Sequence, residues 1–298
     1  MKSGFVSIIG RPNVGKSTFL NAVIGQKIAI MSNKPQTTRN TISGVLTKDE
    51  YQVIFIDTPG IHKPHNELGR RMTDSAYSST KGVDAIIWMI SATDKLTLGE
   101  EMIVENLKKV NTPIYLCINK IDLLKRKTDI DKLILEFKDL LDFKGIFPIS
   151  AKENLNLSYL IEEIVDNLEE GPQYYPKEMI TDHPEKFLIG ELIREKVLLN
   201  TQEEIPHSVA VVIELLKKNE ENPDIIDCYA SIYVERESQK GIIIGNKGSM
   251  LQKIGSQARR DIMRILGSKV YLEIWVKVKP DWRNKENYLK SLGYDTNF

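Results

Sequence analysis

A chain of 298 residues with 41% hydrophobic content is long enough for two compact domains, each with its own core. Its 41 Lys and Arg balance 41 Asp and Glu, which excludes a uniformly basic or acidic coat. Two cysteines exclude a disulfide framework, and the longest apolar stretch, Ala85 to Ile90, is too short to span a bilayer.

In chain order, Phe5 to Ile9 is an apolar run entered almost directly from the N-terminus, with no signal-like segment before it. The expected location is the cytoplasm. The run ends at Gly10-Arg11-Pro12-Asn13-Val14-Gly15-Lys16-Ser17, followed by Thr18 and a helical pattern over Lys16 to Ile24. This is the spacing G-x-x-x-x-G-K-[ST] between a strand and a helix, the setting of a phosphate loop. Its glycines let backbone N–H groups turn inward around phosphate, and the helix N-terminus adds a favourable dipole. Lys16 is expected to reach the β- and γ-phosphates, and the Ser17 hydroxyl to bind Mg²⁺.

A polar loop, Asn33 to Asn40, carries Thr37 and Thr38, which compete for a second Mg²⁺ contact. A strand near Thr41 to Thr47 is expected to pair antiparallel with Gln52 to Ile56. There follows Asp57-Thr58-Pro59-Gly60, where a carboxylate at a strand end can hold Mg²⁺ through water and the Gly60 amide can sense the γ-phosphate. Asp84 to Ile90, Pro113 to Ile118 and Gly145 to Ile149 are further strands. They alternate with helices over Leu98 to Val110, Asp129 to Leu141 and Leu155 to Leu168, which predicts an α/β domain with a mostly parallel sheet. After the strand Pro113 to Ile118, Asn119-Lys120-Ile121-Asp122 presents a carboxylate to guanine N1–H and its exocyclic amine. Adenine lacks both donors, so it would leave that carboxylate unpaired. Ser150-Ala151-Lys152 can offer the Ala151 N–H to guanine O6.

The polar stretch 171–185 contains prolines and reads as a linker between a nucleotide-binding domain, 1–170, and a smaller α+β domain, 186–298. In the latter, Phe187 to Leu199 is helical, and Ser208 to Leu216 and Ile225 to Val234 are antiparallel strands. Gly248 to Leu266 is helical, Lys269 to Val278 is a strand, and Trp282 to Leu292 is a last helix. Residues 236–290 hold 13 Lys and Arg against 5 Asp and Glu, a net of +8, so the remainder carries −8. That segregation points to a polyanionic partner for the C-terminal part. Within it, Gly241-Ile242-Ile243-Ile244-Gly245-Asn246-Lys247-Gly248 has the form of a loop that clamps a nucleic-acid backbone, flanked by an apolar patch. Lys247, Lys253, Arg259, Arg260 and Arg264 supply charge nearby.

The ordered set GRPNVGKS, KPQTTR, DTPG, NKID and SAK resembles the translation-factor class of GTPases. The run SQKGIIIGNKGSMLQKIG resembles a type II KH domain. Together they resemble the Era family of bacterial ribosome-assembly GTPases over nearly the whole chain. The resemblance implies GTP and GDP as ligands, Mg²⁺ as cofactor, and the 3′ end of 16S ribosomal RNA in the 30S subunit as partner. It also implies loose peripheral membrane association; a monomer is expected. Within the resemblance, Thr38 is the switch threonine, because it directly precedes Arg39. Ile61 stands where Ras-like GTPases place a water-orienting glutamine, which implies slow hydrolysis without a partner. Asn13 matches relatives stimulated by K⁺, and a structural brace for the loop is the alternative. The competing function class is a signalling or transport GTPase whose C-terminal domain docks protein.

Overall fold

The computed structural model describes residues 1–126 and 128–294. It divides into two compact units, one of Met1–Ala29, Thr38–His65 and Gly69–Asp182, the other of Ile30–Thr37, Asn66–Leu68 and His183–Phe298.

The first unit is built on a six-stranded sheet of order β2-β3-β1-β4-β5-β6: β1 (Lys2–Ile9), β2 (Ile42–Thr47), β3 (Tyr51–Asp57), β4 (Ala85–Ser91), β5 (Ile114–Asn119) and β6 (Phe143–Pro148). All neighbours run parallel except the edge strand β2, which pairs antiparallel with β3, in register Ile42 with Asp57 and Thr47 with Gln52. Parallel strands covered on both faces need continuous apolar runs. Accordingly, all seven residues of β4 are buried, and Trp88 packs with Phe137 and Phe143 in the core. The helices are α1 (Lys16–Ile24), α2 (Glu67–Ser78), α3 (Leu98–Leu107), α4 (Thr128–Phe137) and α5 (Leu157–Asn167). α1 stops where Gly25 takes a left-handed conformation. α3 starts at a capping box in which Thr97 and Glu100 exchange side-chain and backbone hydrogen bonds. α2 was not among the expected helices. It is polar overall, but within the first unit its buried Met72 and Ala76 lie four residues apart on one face.

The second unit contains a three-stranded sheet, β7 (Ala210–Lys218), β8 (Ile225–Val234) and β9 (Lys269–Val278). β7 and β8 are antiparallel, as expected, and β8 and β9 are parallel. Its helices are α6 (Glu185–Asn200), α7 (Ile205–Ser208), α8 (Glu237–Ile244), α9 (Ser249–Leu266) and α10 (Glu286–Ser291). α9 presents Ile254, Ala258 and Ile262 to the core at helical spacing and turns its basic residues outward. The last helical segment is shorter than expected. Trp282 lies in a separate turn, fully buried, with Nε1 donating to the Ser208 carbonyl at 2.8 Å. Among the described residues no helix is long and apolar enough to cross a membrane. Cys117 and Cys228 are both buried, and burial pushes both thiols up, that of Cys228 to about 11.

Candidate functional site

In an open parallel sheet, ligands bind beyond the carboxyl ends of the strands. Gly10 follows β1, Asp57 ends β3, Asn119 ends β5 and Ser150 follows β6, so the four sequence motifs share that end of the sheet. The phosphate loop opens α1 through Gly15 at φ +105°. A Cβ there would meet Asn119 Nδ2 at 2.2 Å, so the position needs glycine for both conformation and space. Asn119 itself donates to the Val14 carbonyl at 2.9 Å and accepts from the Ala151 N–H at 2.9 Å. It thereby braces the NKID, phosphate and SAK loops as one body. Lys120 Nζ donates to the Asn13 carbonyl.

Lys16 is buried, with Nζ donating to the Gly10 carbonyl at 3.1 Å and the Arg11 carbonyl at 2.9 Å. Burial pulls its pKa down to about 8, against the opposing pull of Asp57. An anion in the loop would add countercharge to the desolvated ammonium beyond that of Asp57. The Ser17 hydroxyl lies 2.8 Å from Thr38 Oγ1 and donates to Asp57 Oδ2 at 2.7 Å. Asp57 is fully buried, which raises its pKa to about 6 despite Lys16, and its other oxygen, Oδ1, is buried with no hydrogen-bond partner. Two hydroxyls and a desolvated carboxylate with an orphaned oxygen are hard oxygen donors that fit Mg²⁺. The geometry also separates the two loop threonines. Thr37 turns its hydroxyl to the carbonyls of Ser32 and Lys34, at 3.4 and 2.6 Å, and its own carbonyl accepts from the buried Arg194. Thr38 alone of the pair reaches Ser17.

Several residues serve the site indirectly. Thr58 donates its hydroxyl to the Ile8 carbonyl at 2.7 Å, which fixes the start of the DTPG loop onto β1. Pro59 is buried, and a Cβ on Gly60 would meet Pro12 at 2.6 Å, so the DTPG and phosphate loops touch through that glycine. Ile61 is buried in the core and donates its N–H to the Gly10 carbonyl at 3.0 Å. At the base end, Asp122 is exposed and accepts from the Ser150 hydroxyl at 2.6 Å, so Ser150 orients the carboxylate. Ala151 is buried and Lys152 exposed. One brace escaped sequence reasoning: Glu100, 2% exposed, pairs with Arg11 at 3.2 Å. Its motif, a threonine three residues before a glutamate, reads as a helix cap, and nothing local links it to the phosphate loop.

The GNKG loop lies between α8 and α9. Gly245 and Gly248 have φ of +73° and +82°, and Lys247 between them +49°. The apolar patch before the loop is corrected by the structure. Ile242 to Ile244 are the last turn of α8, and Ile243 is wholly buried in the core, where it cannot touch a ligand; Ile242 is 52% exposed. β-branched residues and Gly241 disfavour helix locally, and packing against the core overrides that preference. Asn246, Lys247, Lys253 and Arg260 are exposed. Arg259 folds back, with Nε donating to the Val270 carbonyl at 2.6 Å, and Arg264 lies 3.7 Å from Asp261.

Residues 5–120 match the family described as 50S ribosome-binding GTPase, and residues 204–283 match the KH domain. The chain is 43% identical to an Era solved in complex with MgGDPNP and nucleotides 1506–1542 of 16S ribosomal RNA. That match covers 99% of both chains with a TM-score of 0.96. The chain belongs to the Era family of GTPases. A variant of Aquifex aeolicus Era bound to GDP and AlF4− is 42% identical over 99% of both chains, with a TM-score of 0.94. Membership accounts for both halves of the chain: a GTP-hydrolysing domain that uses Mg²⁺, followed by a KH domain.

Proposed function

We propose that this chain is a GTP-driven switch that binds 16S ribosomal RNA near its 3′ end and assists assembly of the 30S subunit. The observation that carries the reading is the joint presence of the Ser17–Thr38–Asp57 oxygen cluster and the GNKG loop in one chain that aligns, end to end, with a relative holding a GTP analogue and that RNA. In domain terms, 1–170 holds nucleotide, 171–185 links, and 186–298 holds RNA.

When bound, Mg²⁺ neutralises charge on the β- and γ-phosphate oxygens. Ser17, Thr38 and Asp57 would hold it. Lys16 would exchange the Gly10 and Arg11 carbonyls for phosphate oxygens. The Gly60 N–H would bind the γ-phosphate, so loss of that phosphate releases the DTPG loop. Asp122 would accept from guanine N1–H and its amine, and the Ala151 N–H would donate to O6. Ile61 offers no polar group to the attacking water and is committed to the core, so turnover is slow without a partner. K⁺ beside Asn13 is a source of stimulation. Gly245 to Gly248, Ile242 and Lys253 form the RNA-contacting set, while Ile243 supports them from below. The protein acts in the cytoplasm as a monomer and visits the inner face of the membrane peripherally.

The reading is tested by crosslinking RNA to the protein in cells, in the parent and in a variant locked with GTP. Enrichment of the 16S 3′ end is expected, with turnover of the purified protein that requires Mg²⁺ and rises in K⁺ over Na⁺. Absence of ribosomal RNA among the crosslinks rejects the RNA assignment, and equal turnover in the two salts rejects the cation.

A further inference from the structure

The sheet of the second unit packs one face on the core; on the other, Asp227 and Ser231 of the central strand β8 are buried, Asp227 beside Tyr271, while the side chains of the edge strand β9 stay largely exposed. Along β9 the core takes Val270, Leu272, Ile274, Val276 and Val278. Strand alternation therefore puts Lys269, Tyr271, Glu273, Trp275 and Lys277 on the opposite face. β8 does the same. Cys228, Ala230, Ile232 and Val234 enter the core, so Tyr229 and Tyr233 stand beside the β9 residues. Tyr229 makes edge contacts with both Tyr271, at 6.4 Å between centroids, and Trp275, at 5.7 Å. The three rings thus form a row. Tyr271 is 53% exposed and Trp275 40%, an unusual amount of aromatic surface to leave in water.

Two features say what covers it. The row is framed by cations: Lys269 at one end of β9, and at the other Lys277 and Lys279, whose ammonium groups lie 5.7 and 4.9 Å from the Tyr233 ring centroid. Lys277 also pairs with Glu214 at 3.2 Å. Second, β9 is the edge strand, and Leu272 to Ile274 on it line the groove beside Gly248 and Arg259, a cavity of about 440 Å³. Tyr271 and Trp275 flank that stretch on the same strand. A polymer leaving the groove over the β9 edge meets the rings next.

We propose that this open sheet face is a base-stacking platform that continues the GNKG groove, with single-stranded RNA bases on Tyr271 and Trp275 and phosphates toward Lys269 and Lys277. The proposal rests on the RNA reading above. A KH loop clamps about four nucleotides, so a longer strand needs further surface, and rings stack on any base. Glu273, between the two rings, repels phosphate there and can accept from a base amino group, which orients bases inward and phosphates outward.

Trp275 makes the platform observable. Of the three tryptophans, Trp88 and Trp282 are fully buried, so quenching by RNA reports Trp275. The full chain is titrated with nested single-stranded fragments of 16S nucleotides 1506–1542, four to twelve nucleotides long. Longer fragments should quench the emission and bind at least about tenfold more tightly than the best tetranucleotide. Tyr271→Ala with Trp275→Ala should erase that gain and leave tetranucleotide affinity unchanged. Tyr271→Phe should keep the gain, since stacking needs the ring and not the hydroxyl. Saturating binding of a twelve-nucleotide fragment without quenching overturns the platform, even if the double variant folds poorly. So does a double variant that keeps the gain. If the double variant keeps all RNA affinities but no longer sediments with 30S subunits, the face docks protein and the proposal also fails. A parent that binds none of the fragments rejects the RNA reading itself.

Discussion

The phosphate loop and the GNKG loop are both glycine-framed turns that open onto a helix, yet they are held in different ways. Around the phosphate loop, distant chain closes in. Asn119 sits against Gly15, Pro12 against Gly60, and Glu100 on Arg11, while Lys16 is buried. The GNKG loop is open above. Nothing lies within 4 Å of a Cβ added at Gly248, and Asn246 and Lys247 are exposed. The phosphate loop is thus enclosed by tertiary contacts, as a site proposed to hold a small nucleotide requires. The GNKG loop is shaped by local backbone conformation and stays open, as a proposed site for a polymer that enters and leaves sideways requires.

That contrast can be broken by substitution. Gly15→Ala forces a carbon against Asn119, and overpacking of that kind costs about 3 kcal/mol; GTP affinity should fall at least about 100-fold. Gly248→Ala meets no neighbouring atom but strains a left-handed backbone, by about 1 kcal/mol, so it should lower stability slightly and leave GTP affinity unchanged; calorimetric titration of both variants compares them directly. Parent-like GTP binding by Gly15→Ala would show that the phosphate loop is not enclosed. On the proposed base contacts, Asp122→Asn would remove two charge-assisted hydrogen bonds, so GTP should bind roughly 100-fold more weakly, while xanthosine triphosphate should gain because the new amide donates to its added oxygen. Unchanged preference between the two nucleotides would move base recognition elsewhere.

At the open loop the expected effects are smaller. Gly248→Asp sets a side chain and a negative charge where phosphate approaches. Filter binding should show single-stranded RNA affinity lowered by about tenfold or more, with GTP affinity unchanged. A variant that binds RNA like the parent at equal salt would remove the groove as the RNA site. Lys247→Ala is the mildest probe. The slope of log affinity against log salt should shrink by about one phosphate contact, and an unchanged slope would place Lys247 off the RNA.

The motifs themselves were legible from sequence because their chemistry is local. Glycines that permit a phosphate turn, a carboxylate that ends a strand and a basic segment around GNKG need no tertiary knowledge. The alternation of apolar strands and helices likewise specified the parallel sheet and its antiparallel edge. What tertiary structure alone decided depends on direction and distance. Thr38, not Thr37, reaches Ser17, because Thr37 spends its hydroxyl on its own loop and its carbonyl on Arg194. Among three adjacent isoleucines Ile243 is buried in the core, since a helix turns consecutive residues about 100° apart. Glu100 reaches Arg11 across 89 positions of chain. The aromatic row joins β8 to β9 through a parallel pairing that neither strand encodes alone. Local pattern sets which elements form and what chemistry they carry; the packing of distant elements sets which side chain of each arrives where that chemistry takes place.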